Sequence, residues 1–256
     1  LSRSWLTLRH PRELGPVLKT TCPDSQPGLI AAEIQWSLGE VYPPQWDSRL
    51  LVDTMKRTAL IPGRRVLDLC TGSGFVAIAA AQMGSASVIA FDVCPLAVEC
   101  SRGNLVGAEV KVDVRQGPWT AAFGCDPFEV VVCNPPYVPT PPAAEAGAEM
   151  ILLSAGPPRA WNAGPDGRLV LDPLCDSAAG LLCDGGSLLL VQSAFAGVQR
   201  TLNSLRSTGL DANIIASQWV PFGPVLLARA RWLEETGRLQ RGCREEKLVV
   251  IRADKP

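Results

Sequence analysis

The segment Val66-Leu67-Asp68-Leu69-Cys70-Thr71-Gly72-Ser73-Gly74, running straight into Phe75–Met83, constrains this chain more than any other. It reads as a strand, a glycine turn and a helix rich in Ala, Ile and Val. The glycines let the backbone approach a ligand closely, and the following helix N-terminus presents N–H groups. After the apolar run Ser87–Phe91 comes Asp92, about 20 residues past the first glycine, where a carboxylate can take ribose hydroxyls. This is a nucleoside-binding half-site. Gly72 to Ala77 also satisfies the dinucleotide pattern G-x-G-x-x-A, so the glycines alone leave a nicotinamide cofactor open.

Strand and helix patterns then alternate. The sequence predicts elements over Arg65–Cys70, Phe75–Met83, Ser87–Phe91, Pro95–Val106, Val110–Arg115, Phe128–Cys133, Leu169–Leu182 and Ser187–Gln192. Such alternation implies an α/β fold: a doubly wound, mostly parallel seven-stranded sheet with helices on both faces. A helix is expected over Trp46–Ala59, preceding the first strand. Beyond Gln192 come a helix near Gly197–Ser207, a strand near Asn213–Val220, an inserted helix over Pro224–Thr236 and a final strand at Lys247–Arg252. The last two strands make an antiparallel edge, the last strand running against the rest. Residues 1–39 read as an extension or cap, and residues 40–256 as the catalytic domain, with a helical insertion at about 223–243.

The apolar run Phe128–Cys133 ends in Asn134-Pro135-Pro136-Tyr137. Each proline fixes its own φ and pushes the preceding residue out of the helical region, so the loop is extended and stiff. Asn134 lies at a strand's carboxyl end, the edge where ligands collect in open α/β sheets. A carboxamide, exposed carbonyls and an aromatic lid can grip a planar –NH2 group, turning its lone pair toward an electrophile. A plain turn is the alternative for the tripeptide by itself. Asp68 tilts the choice away from a dinucleotide, because its carboxylate suits a cationic amine rather than a pyrophosphate.

Together, Asp-x-Cys-Thr-Gly-Ser-Gly, the acidic residue after the second strand and Asn-Pro-Pro-Tyr resemble the class I S-adenosylmethionine (SAM)-dependent methyltransferases that modify amino nitrogens. Within these, Val41–Ser48 and Ala160–Arg168 resemble segments of the HemK-type protein glutamine N5-methyltransferases, which act on release factors. The likeness covers roughly residues 40 to 200. It implies a catalytic loop of Asn134, Pro135, Pro136 and Tyr137, in which the Asn134 side-chain oxygen and the Pro135 carbonyl accept the acceptor's hydrogens. It implies a SAM site of Ser48, Asp68, Cys70, Thr71, Gly72, Ser73, Gly74, Asp92, Val93, Trp119 and Asn134. Asp47 and Ser48 resemble family positions near the cofactor, and a plain helix cap explains them as well. Trp161 and the Gly164–Gly167 turn fit either the border of an acceptor channel or an ordinary turn. The 39-residue extension is too short for the helical substrate domain of bacterial release-factor enzymes, so the chain resembles the short archaeal and eukaryotic members, which rely on a small zinc-binding activator subunit. Gln116-Gly117-Pro118-Trp119 departs from the family. Pro118 offers no N–H to adenine, leaving Asp113 or Gln116 to substitute, or Trp119 to stack.

Composition narrows the partners. A net charge of −1 implies no general polyanion-binding surface, which counts against a nucleic-acid enzyme. A single histidine, His10, removes a catalytic triad or a histidine-rich metal site, and no metal is expected. The nine cysteines include no C-x-x-C pair, as expected of free thiols in a reducing cytosol. No stretch approaches about 18 apolar residues, so a cytoplasmic protein without membrane partners is expected. The missing initial Met points to a processed or trimmed chain. Arg229, Arg231, Arg238, Arg241 and Arg244 read first as a solvated face and second as a surface for an acidic or RNA-bearing partner. The leading reading is methylation of a protein glutamine amide, on a release factor or another translation protein. Methylation of adenine N6 in RNA or DNA and a non-catalytic SAM-binding or assembly role are the alternatives.

Overall fold

The computed structural model describes residues 41–108, 110–142 and 156–256. The expected cap over residues 1–39 lies outside the described residues. The chain begins with α1 (Trp46–Thr58) and then alternates: β1 (Arg65–Leu69), α2 (Phe75–Gln82), β2 (Ser87–Asp92), α3 (Pro95–Ala108), β3 (Asp113–Gln116) and β4 (Phe128–Cys133). After the Asn134–Tyr137 loop come α4 (Leu171–Ser177), β5 (Leu182–Ser193), α5 (Val198–Ser207), β6 (Asp211–Pro221), α6 (Pro224–Glu235) and β7 (Glu245–Asp254). The seven strands form one sheet in the order β3-β2-β1-β4-β5-β7-β6.

Strands β1 to β5 are mutually parallel, while β7 runs antiparallel to both of its neighbours, β5 and β6. The fold class read from the sequence is therefore the observed one. Central β1 and β4 are apolar on both faces and almost wholly buried, as expected of parallel strands covered on each side. Edge strand β3 buries only Val114. Helix α2 is apolar around its circumference and buries Val76 through Ala80 in a row. An all-round apolar helix belongs in a core. Helix α5 has a narrower stripe, with Thr201, Leu202 and Leu205 inward.

Two boundaries differ from the sequence reading. The segment expected to be one helix over Leu169–Leu182 is the short α4, a 3-10 turn at Ala178–Gly180, and then the start of β5. Strand β5 reaches upstream through Gly185 and Gly186. A Cβ on Gly186 would lie 2.8 Å from the Cys183 carbonyl oxygen and 2.9 Å from that of Phe128, so glycine permits the irregular pairing there. Strand β3 begins at Asp113 rather than Val110.

In the arginine-rich segment Arg231, Arg238, Arg241 and Arg244 are exposed, as a solvated face requires, and one position differs. Arg229 is 2 % exposed and lies inside the molecule rather than on a solvated face. Arg231 pairs with Glu235 and Arg244 with Glu234. Arg238 stacks over Trp232 at 5.9 Å.

Candidate active site

Strands β1 and β4 are neighbours in register, with Leu69 beside Cys133, so the glycine loop and the Asn-Pro-Pro-Tyr loop leave the sheet from one rim. Between them opens a cavity of about 400 Å³. Its wall includes Ser48, Asp68, Cys70, Thr71, Gly72, Ser73, Asp92, Val93, Trp119, Asn134, Pro135, Pro136 and Tyr137. Of the residues expected at the site, Gly74 alone stands behind the wall. It has φ +83°, caps α2, and leaves so little room that a Cβ would lie 2.4 Å from Ser101 Oγ.

The glycine loop is bent by left-handed backbone at Cys70 (φ 60°), Gly72 (φ 55°) and Gly74. For Cys70 this conformation costs about 1–2 kcal/mol. The loop is held by its own contacts. Gly72 N donates to Asp92 Oδ2 and Cys94 N to Asp92 Oδ1, both at 2.9 Å. The Gly72 amide is thus engaged by Asp92 rather than left for a phosphate. Burial raises the Asp92 pKa, and the amide bonds from Cys94 and Gly72 work against that rise. Asp68 is 1 % exposed and accepts the Thr71 hydroxyl at 2.6 Å. Burial pushes its carboxyl up to about 7, against the Thr71 hydrogen bond and with help from the Asp92 charge.

The Asn134–Tyr137 side of the cavity is organised by Asp47 in the first turn of α1. Its Oδ2 accepts the Tyr137 hydroxyl at 2.8 Å and the Tyr42 hydroxyl at 3.2 Å. Its Oδ1 accepts Ser48 N at 2.7 Å and Ser48 Oγ at 3.3 Å. Ser48 Oγ in turn accepts from Asn134 Nδ2 at 3.1 Å. Because the Asn134 amine end is tied to Ser48, its Oδ1 is the end presented as an acceptor. Asp47 is 4 % exposed, and its contacts to both tyrosines exceed what a helix cap needs. Burial first, and then Asp47, raises both tyrosine pKa values well above normal, so the hydroxyls stay donors.

The Gly164–Gly167 turn supports this loop from behind. At Gly167 (φ +76°) a Cβ would lie 2.4 Å from the Tyr137 carbonyl oxygen. The adjoining Arg168 donates from Nη1 to the Ala196 carbonyl at 2.7 Å and to Thr201 Oγ1 at 2.6 Å, anchoring the turn to the start of α5. Val138 N donates to the Trp161 carbonyl at 3.0 Å and Ala163 N to the Val138 carbonyl at 3.1 Å, so the two segments form a short parallel bridge. Trp161 lines the cavity, as does Arg159, whose charge lowers the Asp92 pKa. Arg159 gives no signal in the sequence, because nothing local links position 159 to position 92. Phe91, Cys94 and Gly117 also line the cavity.

The cavity fits S-adenosylmethionine on its own chemistry. A deeply buried carboxyl faces one end, a second carboxyl stands at the β2 terminus, and Val93 and Trp119 offer apolar cover. Among the described residues no cluster of His, Cys, Asp and Glu could hold a metal ion.

Comparison with known proteins agrees with this geometry. Residues 45–157 match the methyltransferase small domain family. A Methanocaldococcus jannaschii protein, provisionally named a protein N5-glutamine methyltransferase, is 28 % identical over 191 residues, covering 75 % of this chain and 91 % of the relative. The release factor glutamine methyltransferase of Deinococcus radiodurans is 32 % identical over 209 residues, covering 74 % of this chain and 73 % of the relative. Among solved structures, E. cuniculi Mtq2, in complex with Trm112 and responsible for methylation of the eRF1 translation termination factor, superposes with TM-score 0.55. It shares 21 % identity, with 84 % of this chain and 99 % of that chain covered. Fold and matches define an S-adenosylmethionine-dependent N-methyltransferase. More particularly, the chain belongs to the release factor glutamine methyltransferase family, the HemK-type enzymes.

Proposed function

We propose that this chain transfers a methyl group to the side-chain amide nitrogen of a glutamine in a translation protein, a release factor being the leading candidate. The observation that carries this reading is the chain of contacts from Asn134 through Ser48 to Asp47, which leaves the Asn134 oxygen to the acceptor. The relatives named for glutamine methylation support the choice of acceptor.

When bound, the cofactor supplies an electrophilic methyl group on a sulfonium. The chain's own residues do the rest. Asp68 holds the cofactor's ammonium, Asp92 its ribose hydroxyls, and Val93 and Trp119 flank its base. Ser48, Cys70, Thr71, Gly72 and Ser73 shape the wall between, and Gly74 fixes the turn from behind. An amide nitrogen is a poor nucleophile because its lone pair is conjugated. Asn134 Oδ1 and the Pro135 carbonyl accept its two hydrogens and favour the pyramidal nitrogen of the transition state, an interaction that grows along the reaction. Pro136 stiffens the loop, and Tyr137 covers the flat group with its ring while its hydroxyl stays on Asp47. Water suffices to take the proton released, since an N-protonated amide is strongly acidic.

The methyltransferase unit on this reading spans residues 40–256, with residues 1–39 as a cap. We further propose a cytoplasmic enzyme with a small activator subunit. The free state of Cys70, Cys94, Cys100, Cys125, Cys133, Cys175, Cys183 and Cys243 and the absence, among the described residues, of any helix long and apolar enough to cross a membrane support the first part. The Trm112-bound E. cuniculi neighbour supports the second. The deciding experiment incubates the chain with labelled cofactor and a recombinant release factor, with and without nuclease-treated extract. Label at a glutamine of the release factor is expected. Label that disappears on nuclease treatment would select a nucleic-acid acceptor instead.

A further inference from the structure

Helix α6 sits outside the larger cavity and, among the described residues, contributes none of its wall. Its Arg229 nevertheless reaches both segments that form the acceptor side. Nη1 donates to the Pro139 carbonyl at 2.8 Å, and Nη2 to Asn162 Oδ1 at 2.6 Å. The guanidinium lies 4.6 Å from the Trp161 ring centroid. Pro139 lies two residues beyond Tyr137, and Asn162 follows Trp161. Thr140 Oγ1 donates to the same Asn162 oxygen at 3.0 Å, and Thr140 N to the Gly164 carbonyl at 2.8 Å.

From this geometry we infer that Arg229 is a positioning residue for the acceptor site: its planar fork holds the Tyr137–Thr140 and Trp161–Asn162 segments in register and sets the Trp161 ring that faces the acceptor. Burying a guanidinium is costly, and an apolar side chain would fill the same volume with a smaller desolvation penalty. An apolar side chain cannot bridge a carbonyl on one segment and an amide oxygen on the other. Lysine, with a single ammonium, lacks the rigid two-pronged reach. Trp161 lines both the main cavity and a smaller one of about 50 Å³, which α6 also lines. A tilt of the ring therefore exchanges volume between the two. Acceptor positioning thus depends on a helix that contributes none of the described wall of the main cavity. The inference rests on the proposed acceptor site, but not on which protein supplies the glutamine.

The test compares wild type, Arg229→Lys and Arg229→Met, all as the full chain. Hydrogen exchange should quicken in the backbone of residues 138–140 and 161–164 in both variants, while β1 and β4 keep their protection. Cofactor affinity by calorimetry should stay within about twofold, whereas kcat/KM for the release factor should fall by about tenfold or more through misplacement of the acceptor. Arg229→Lys guards against a simple unfolding effect, since it keeps the charge and most of the volume. Unchanged exchange in those two segments would overturn the inference, as would equal loss of cofactor affinity and turnover. If wild type supplied with its activator subunit leaves the release factor unlabelled, the proposed substrate fails, and the exchange comparison still decides the role of Arg229.

Discussion

Asp47 accepts hydrogens from Tyr42, Tyr137 and Ser48, and through Ser48 it fixes the direction of the Asn134 amide. Replacing Asp47 by Asn turns one of its two acceptor oxygens into a donor group, so either the tyrosine pair or Ser48 loses its acceptor. Turnover should fall by about tenfold or more with cofactor affinity little changed, since a donor left unsatisfied in the interior costs about 1–3 kcal/mol. Asn134→Ala should remove most turnover and leave cofactor binding within a few-fold; parallel loss of both would mean that the loop only supports the fold. Asp92→Ala should chiefly weaken cofactor binding, and an unchanged dissociation constant would remove its ribose role. The Asp68 carboxyl, held up at about 7 by burial, must ionise to grip an ammonium. Cofactor affinity should therefore fall by up to about tenfold per pH unit below 7. A flat calorimetric profile over that range would take Asp68 out of the binding role. The candidate residues on the two loops were legible because their chemistry is local: a carboxylate, glycines and a carboxamide at strand ends. The role of Asp47 as a hub was not, although the residue itself was singled out, because its partner Tyr137 lies 90 positions away and Asn134 lies 86 positions from Ser48, and a carboxylate in a first helical turn already has an ordinary explanation.

Among the elements, the parallel strands were legible from apolar runs stopped by turn residues, and α1, α2 and α3 from length and composition. Helix α4 and strand β5 were both read, but the boundary between them was misplaced because the run from Leu169 to Leu182 carries apolar residues at a spacing that suits a helix. What overrides it is pairing of β5 with β4 across a glycine-dependent irregularity that only the tertiary context reveals. Helix α6 was found, but its direction was not, since a cluster of arginines ordinarily faces water and Arg229 turns inward. The Gly164–Gly167 turn gains a definite purpose as the backing of Tyr137. Gly167→Ala would drive a methyl group into the Tyr137 carbonyl and force strained left-handed backbone besides. Acceptor turnover should drop while cofactor affinity holds. Gly74→Ala, which pushes into Ser101 between α2 and α3, should instead weaken cofactor binding and lower the melting temperature together. The contrast between the two glycines separates the acceptor side from the cofactor side by measurement.

For the molecule as a whole, Asp68 and Glu246 set a common pH response. Burial pushes each carboxyl up to about 7, with nearby carboxylates adding to the rise. The folded chain therefore holds protons that the unfolded chain releases. The resulting stability is complete below the unfolded values near pH 4 and is lost as pH rises through about 7. Ligand-free protein should melt higher near pH 6 than near pH 8, and Glu246→Gln should flatten the slope. A melting temperature that rises over that interval would contradict the assignment. Overall topology was predictable in class, as was the antiparallel sense of the last strand, but its position was not.

That position carries a consequence for how the chain is made. Strand β7 follows β6 in the chain yet lies between β5 and β6 in the sheet. A ribosome delivers β5 and β6 first, so a gap one strand wide must wait for the segment that emerges after both. Until Leu248–Ala253 threads into it, β6 has no neighbouring strand, and the facing edges of β5 and β6 lack their backbone hydrogen-bond partners. Assembly of this half of the molecule is therefore committed late, and damage to its closing strand should surface as lost yield during synthesis before it appears as lost catalysis.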